Sequence, residues 1–149
     1  MNRVLVRNLQ AKVRLPEQRL RRLIRAVLVD QGVTAAEVSV MLVNDQHIQR
    51  LNRRYRGKNR STDVLAFRMG RGPGESPSPQ ILGDVVVSVE TARRTARELG
   101  ISWQEEVCRY LVHGTLHLVG HEDVTRRGFC RLHRIQEELL KRYASPLPA

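Results

Sequence analysis

Ser102-Trp103-Gln104-Glu105-Glu106-Val107-Cys108-Arg109-Tyr110-Leu111-Val112-His113-Gly114-Thr115-Leu116-His117-Leu118-Val119-Gly120 is the stretch from which the fold can be read. Ser102, with Glu105 three residues on, is a capping-box signature and starts a helix. Gly120, a residue that accepts positive φ, ends it. Between them Val107, Cys108, Tyr110, Leu111, Val112, Leu116, Leu118 and Val119 lie nearly all round the helix, which marks a buried helix rather than a surface one. This helix is expected to run through the middle of the domain.

The elements before it follow from their periodicity. Alternation around Val4 and Val6 predicts a strand, and Pro16 opens a helix whose Leu20, Leu23, Ile24, Val27 and Leu28 keep helical spacing up to Gly32. The run from Val38 to Val43 is β-rich and apolar on both faces, as a central strand is. Asn44 or Asp45 can cap a helix with Ile48, Leu51, Asn52 and Tyr55 on one side, and a turn follows at Gly57. Thr62 to Phe67 and Leu82 to Ser88 read as two more strands, joined by a Gly/Pro/Ser-rich segment from Gly70 to Gln80 that is expected to be a mobile loop. A short helix from about Glu90 to Leu99 stops at Gly100. After the central helix, a last amphipathic helix from about Thr125 to Tyr143 offers Phe129, Leu132, Leu139 and Leu140 for packing. The order β-α-β-α-β-β-α-α-α predicts an α+β fold: a small mixed sheet of about four strands packed against about five helices. At 149 residues a single domain over 1–149 suffices.

Composition narrows the function. No apolar run approaches the ~18–20 residues of a membrane span, and the N-terminal apolar stretch is broken by Arg3 and Arg7 too soon for a signal peptide, so a soluble cytoplasmic protein is expected. Cys108 and Cys130 sit in helical, apolar patterns and read as buried thiols of a reducing cytosol rather than a disulfide. Charge is lopsided: residues 1–71 hold 16 Lys and Arg against 5 Asp and Glu, whereas the rest of the chain is balanced, so the net charge of +11 lies in the first half. Arg50, Arg53, Arg54, Arg56, Lys58, Arg60, Arg68 and Arg71 face only Asp63 in their segment, which makes a polyanion surface and points to nucleic acid ahead of an anionic membrane or protein.

His113 and His117 stand four apart on one face of the central helix, so two imidazoles can converge on one ion at ~2.0–2.1 Å. Buried imidazoles need partners, which favours a metal site over a structural pair. A third ligand must lie beyond the helix. If the helix ran on unbroken, His121 would be ~12 Å from His113 at ~1.5 Å rise per residue, but Gly120 lets the chain turn back, and His121, Glu122 and Asp123 are then all candidates. The spacing His-x-x-x-His-x-x-Gly-x-x-Asp echoes metzincin peptidases, yet Gly114 stands where those enzymes carry a catalytic Glu. Metal-assisted hydrolysis by another class of enzyme remains open.

His113-Gly114-Thr115-Leu116-His117-Leu118-Val119-Gly120-His121-Glu122-Asp123 resembles the His-Gly-x-Leu-His-Leu-x-Gly-Tyr-Asp-His hallmark of the YbeY family of bacterial and organellar endoribonucleases. Tyr55 to Arg68 resembles that family's Tyr-Arg-Gly-x-x-x-Pro-Thr-Asp-Val-Leu-Ser-Phe-Pro block, and Leu82-Gly83-Asp84 with the apolar run after it resembles a third. The likeness covers nearly the whole chain. Asp123 stands at the family's third His and His121 at its Tyr, while Ser61, Ala66 and Arg68 replace Pro, Ser and Pro. By register the third ligand is Asp123, giving a site for one Zn²⁺ on His113, His117 and Asp123, since carboxylates bind zinc at ~2.0–2.2 Å.

The resemblance implies a cytosolic, zinc-containing, single-strand-specific endoribonuclease acting in ribosomal RNA maturation, near the 3′ end of small-subunit rRNA, and in ribosome quality control. Its partners would be single-stranded RNA, ribosomal RNA and the small ribosomal subunit, with neither a membrane nor a nucleotide cofactor. The resemblance also singles out Arg56 as catalytic, and an Arg fork suits the charge that builds on phosphate during in-line attack. Arg53, Arg54, Arg56, Lys58 and Arg60 are the expected RNA-binding residues, and Glu122 or His121 would relay protons. Two other readings are a ribosome-assembly factor with a structural zinc and a small zincin-like peptidase.

Overall fold

Residues 1–69 and 80–144 are described by the computed structural model, and their elements follow the order read from the sequence. These are β1 (Arg3–Asn8), α1 (Glu17–Asp30), β2 (Ala36–Val43), α2 (Asp45–Arg56), β3 (Val64–Arg68), β4 (Gln80–Ser88), α3 (Val89–Leu99), α4 (Trp103–Leu118) and α5 (Arg126–Tyr143). The loop expected over Gly70 to Gln80 falls outside the described residues, except that Gln80 already begins β4.

The four strands form one mixed sheet in the order β1-β2-β4-β3. β1 pairs parallel with β2, β2 parallel with β4, and β3 antiparallel with β4. The two parallel pairings need helical crossovers, supplied for β1 and β2 by α1. β2 lies inside the sheet, and its apolar character on both faces has that cause. Val38, Val40 and Leu42 are fully buried in the main core, while Val43 and Met41 join a smaller cluster with Ile48 of α2, Leu65 and Val86. Helix α2 therefore covers one face of the sheet, and the main core fills the other.

Helix α4 is the centre of the main core, touching α1, α3, α5, β3 and β4. Leu111, Leu116 and Leu118 have no exposed surface, and each contributes about 1.5–3 kcal/mol by leaving water. Gly114 makes the close approach to the sheet possible. A Cβ there would lie 2.6 Å from Val85 Cγ1 and 3.2 Å from Val64 Cγ2, so any side chain where a peptidase would place its Glu has to push the sheet residues aside.

Three apolar expectations need correction. Cys108 is buried, and burial, with the Glu105 charge adding to it, pushes its thiol up to about 12, but Cys130 is exposed. It lies on the outward face of α5, whose buried stripe runs through Leu132, Gln136, Leu139 and Leu140. Phe129, one turn before Leu132, is likewise exposed and packs against His133 at 4.2 Å between ring centroids, the two planes tilted by 43°. Tyr55 is also exposed, meeting Phe67 edge-on at 5.4 Å.

Candidate metal centre and cleft

The end of α4 sets the geometry of the site. His121 N–H donates to Leu116 O at 3.0 Å and Gly120 N–H to His117 O at 3.1 Å, the paired bonds of a Schellman motif, with Gly120 at φ +108°. This reversal carries the following residues back over the last turn of the helix. Asp123 Oδ2 lies 3.5 Å from His117 Nε2 and 3.9 Å from His113 Nε2, and the two Nε2 atoms are 3.1 Å apart. The three donor atoms lie within 4.8 Å of one another.

His121 goes elsewhere. Its Nε2 is 2.7 Å from Gln31 Oε1 just beyond α1. Glu122 lines the same cleft as the cluster.

The donor set suits a zinc-type ion, two imidazole nitrogens and one carboxylate oxygen leaving a position open. His113 is prepared for such a role in two ways. Burial pushes its pKa below the ordinary imidazole range, with Gln136 opposing and His117 adding, so the ring is neutral at pH 7, as a ligand must be. Its Nδ1 is 2.8 Å from Gln136 Oε1, leaving Nε2 to face the cleft.

The cleft holds about 470 Å³, and Arg56, Asp63, Arg68, His113, His117 and Asp123 are among its walls. Arg56 is the last residue of α2, and its Nη2 donates to Ala66 O on edge strand β3 at 2.7 Å while its guanidinium lies over Phe67. Of the five residues expected to bind RNA, Arg56 lines the cleft. Arg53, Arg54, Lys58 and Arg60 are exposed on the end of α2 and the loop beyond, and among the described residues none of the five enters an ion pair. Asn52, buried inside α2, ties that loop down through its Nδ2 to Arg60 O at 3.0 Å.

Sequence reading passed over Gln136, Asp63 and, as a wall of the cleft, Arg68. Asp63 and Arg68 sit in the quoted family block, so position within that block was the available signal. Gln136 had none, because one Gln on an amphipathic helix reads as a surface residue.

Two histidines of a buried helix and a carboxylate just beyond it, able to hold a metal ion and open to a polar cleft with an arginine in its wall, are the arrangement of a metal-dependent hydrolase. A family profile described as Endoribonuclease YbeY matches residues 5–144. A Geobacter sulfurreducens protein named Endoribonuclease YbeY is 38% identical over 134 residues, covering 90% of this chain and 89% of that protein. An Aquifex aeolicus protein of the same name is 46% identical over 121 residues, covering 81% of this chain and 77% of its own length. A longer Myxococcus xanthus protein of that name is 46% identical over 116 residues, which are 78% of this chain and 40% of that protein. A Thermotoga maritima protein solved in solution superposes with a TM-score of 0.60 at 26% identity, covering 97% of this chain and 93% of that one. The chain belongs to the YbeY endoribonuclease family.

Proposed function

We propose that this chain is an endoribonuclease that cuts single-stranded RNA in a cleft where His113, His117 and Asp123 hold one Zn²⁺ ion. One observation carries the reading: Arg56 lines the same cleft as the three candidate ligands. Bound there, zinc would acidify water toward a pKa of ~7 and polarise a phosphoryl oxygen.

The chain's own residues do the rest. Arg56, braced on the Ala66 carbonyl, presents its remaining N–H groups to the scissile phosphate and stabilises the negative charge that develops on it. Arg53, Arg54, Lys58 and Arg60 hold the flanking phosphates without reading bases. Glu122, in the cleft wall, is the group we assign to proton relay, because His121 is engaged with Gln31. A peptidase is disfavoured by the missing room at Gly114, and a purely structural metal by the cleft that opens onto the cluster.

The reading extends to the cellular substrate, ribosomal RNA near the 3′ end of the small-subunit species, met in the cytoplasm on the small subunit; membership of an endoribonuclease family supports RNA as the substrate class. The test is cleavage of an end-labelled single-stranded RNA carrying that 3′ region, beside the same RNA annealed to its complement. Wild type cuts the single strand and His117→Ala does not. Equal cleavage by the two proteins would overturn the site.

A further inference from the structure

Gln136 is 3% exposed on α5, and a buried carboxamide must satisfy both its ends. Its Nε2 donates to Glu137 Oε2 at 2.9 Å, and its Oε1 lies 2.8 Å from His113 Nδ1. The orientation is dictated from outside. Glu137 is gripped by Arg109, whose Nε and Nη2 reach Oε2 and Oε1 at 2.9 and 3.0 Å. An ionised carboxylate can only accept, so the Gln136 amide nitrogen must face Glu137 and its oxygen must face His113. That oxygen can only accept in turn. In the neutral imidazole, Nδ1 therefore carries the proton and Nε2 the lone pair, and Nε2 is the atom that faces His117 and Asp123.

We propose that Gln136 is a positioning residue that fixes the His113 tautomer for metal binding, with the Arg109–Glu137 ion pair setting the direction of its amide. This deepens the metal-site reading and rests on it. A ligating histidine commonly has its second ring nitrogen tied to an acceptor, which fixes ring and tautomer together. In water the neutral histidine side chain favours the proton on Nε2, the nitrogen needed here as a donor atom. The relay has a consequence that simple packing lacks: Glu137, whose hydrogen bonds go to Arg109 and Gln136 and not to His113, controls which nitrogen of His113 is protonated. In Glu137→Gln the neighbour can donate as well as accept, and the Gln136 amide is free to turn over.

The test reads the His113 ring nitrogens by ¹⁵N NMR in metal-free and zinc-loaded protein, alongside zinc affinity by chelator competition. Wild type shows Nδ1 protonated in both states. Gln136→Leu moves the metal-free ring toward the Nε2–H form and weakens zinc binding about 10–100-fold. Glu137→Gln gives a mixture of tautomers and a smaller loss, and decides the matter if Gln136→Leu fails to fold. An unprotonated Nδ1 in wild type, or folded variants with unchanged tautomer and affinity, would overturn the proposal. Because the metal-free spectrum needs no zinc, a wild type that has the expected tautomer but binds no zinc refutes the ligand assignment instead.

Discussion

His121 Nε2 lies 2.7 Å from Gln31 Oε1, across 90 residues of chain, so the imidazole two positions before Asp123 is turned away from the cluster formed by His113, His117 and Asp123. If the carboxylate is the third ligand, His121→Ala keeps one zinc per chain, and Asp123→Ala loses it or binds it at least about 100-fold more weakly. Zinc content after gel filtration, measured by atomic emission, separates the two. The opposite pattern would make His121 the ligand.

Arg56 and its neighbours differ in kind. Arg56→Ala is expected to lower kcat about 100-fold, since on the proposed reading it removes a donor aimed at developing charge. Arg56→Lys should recover only part of it, because an ammonium keeps the charge without the planar fork. Arg53→Ala and Arg60→Ala should leave kcat alone and each reduce the slope of log affinity against log salt by about 0.7, the single-strand value per phosphate contact. Single-turnover cleavage and a salt series of binding isotherms provide both numbers.

Gly114 is a packing requirement. Crowding a Cβ against Val85 costs about 1–3 kcal/mol, and the better helix propensity of alanine returns about 1 kcal/mol. Gly114→Ala is expected to lose about 1 kcal/mol in urea unfolding, and Gly114→Glu much more. A Gly114→Glu protein as stable as wild type would show that the helix–sheet contact is loose.

Three histidines carry pKa values below the ordinary imidazole range: His113 by burial, His47 by burial and then Arg50, and His121 by burial and then Arg131. Their folded-state pKa lies under the unfolded value of ~6.5, so around that pH the unfolded chain binds more protons and stability rises with pH. The metal-free protein should therefore have a Tm that falls steadily from about pH 7.5 to pH 5.5, with most of the loss below pH 7. A Tm that stays flat or climbs on acidification would contradict the burial of these rings.

The fold was legible because its decisive helix advertises itself: α4 is apolar nearly all round, capped by Ser102 and stopped by Gly120, and little but a central position suits it. That His113 and His117 share a face was readable from spacing, and that Asp123 comes back to them from its register against a family hallmark; the three do lie together. What could not be read were long-range partners. Nothing local reveals that Gln31 holds His121 or that Gln136 meets His113, since a polar residue on a helix looks the same whether it faces water or a buried imidazole. Cys130 and Phe129 failed for a related reason. The buried stripe of α5 begins only at Leu132, so Phe129, in register with it but a turn earlier, stays exposed, and Cys130 lies on the outward face.

Chelation and re-addition of zinc to one protein preparation, with cleavage of single-stranded RNA as the readout, decide whether the cleft works through a metal. Activity is expected to disappear when the metal is stripped and to return with one equivalent of Zn²⁺ in wild type, but not in Asp123→Ala. Undiminished cleavage by the stripped protein would contradict that expectation.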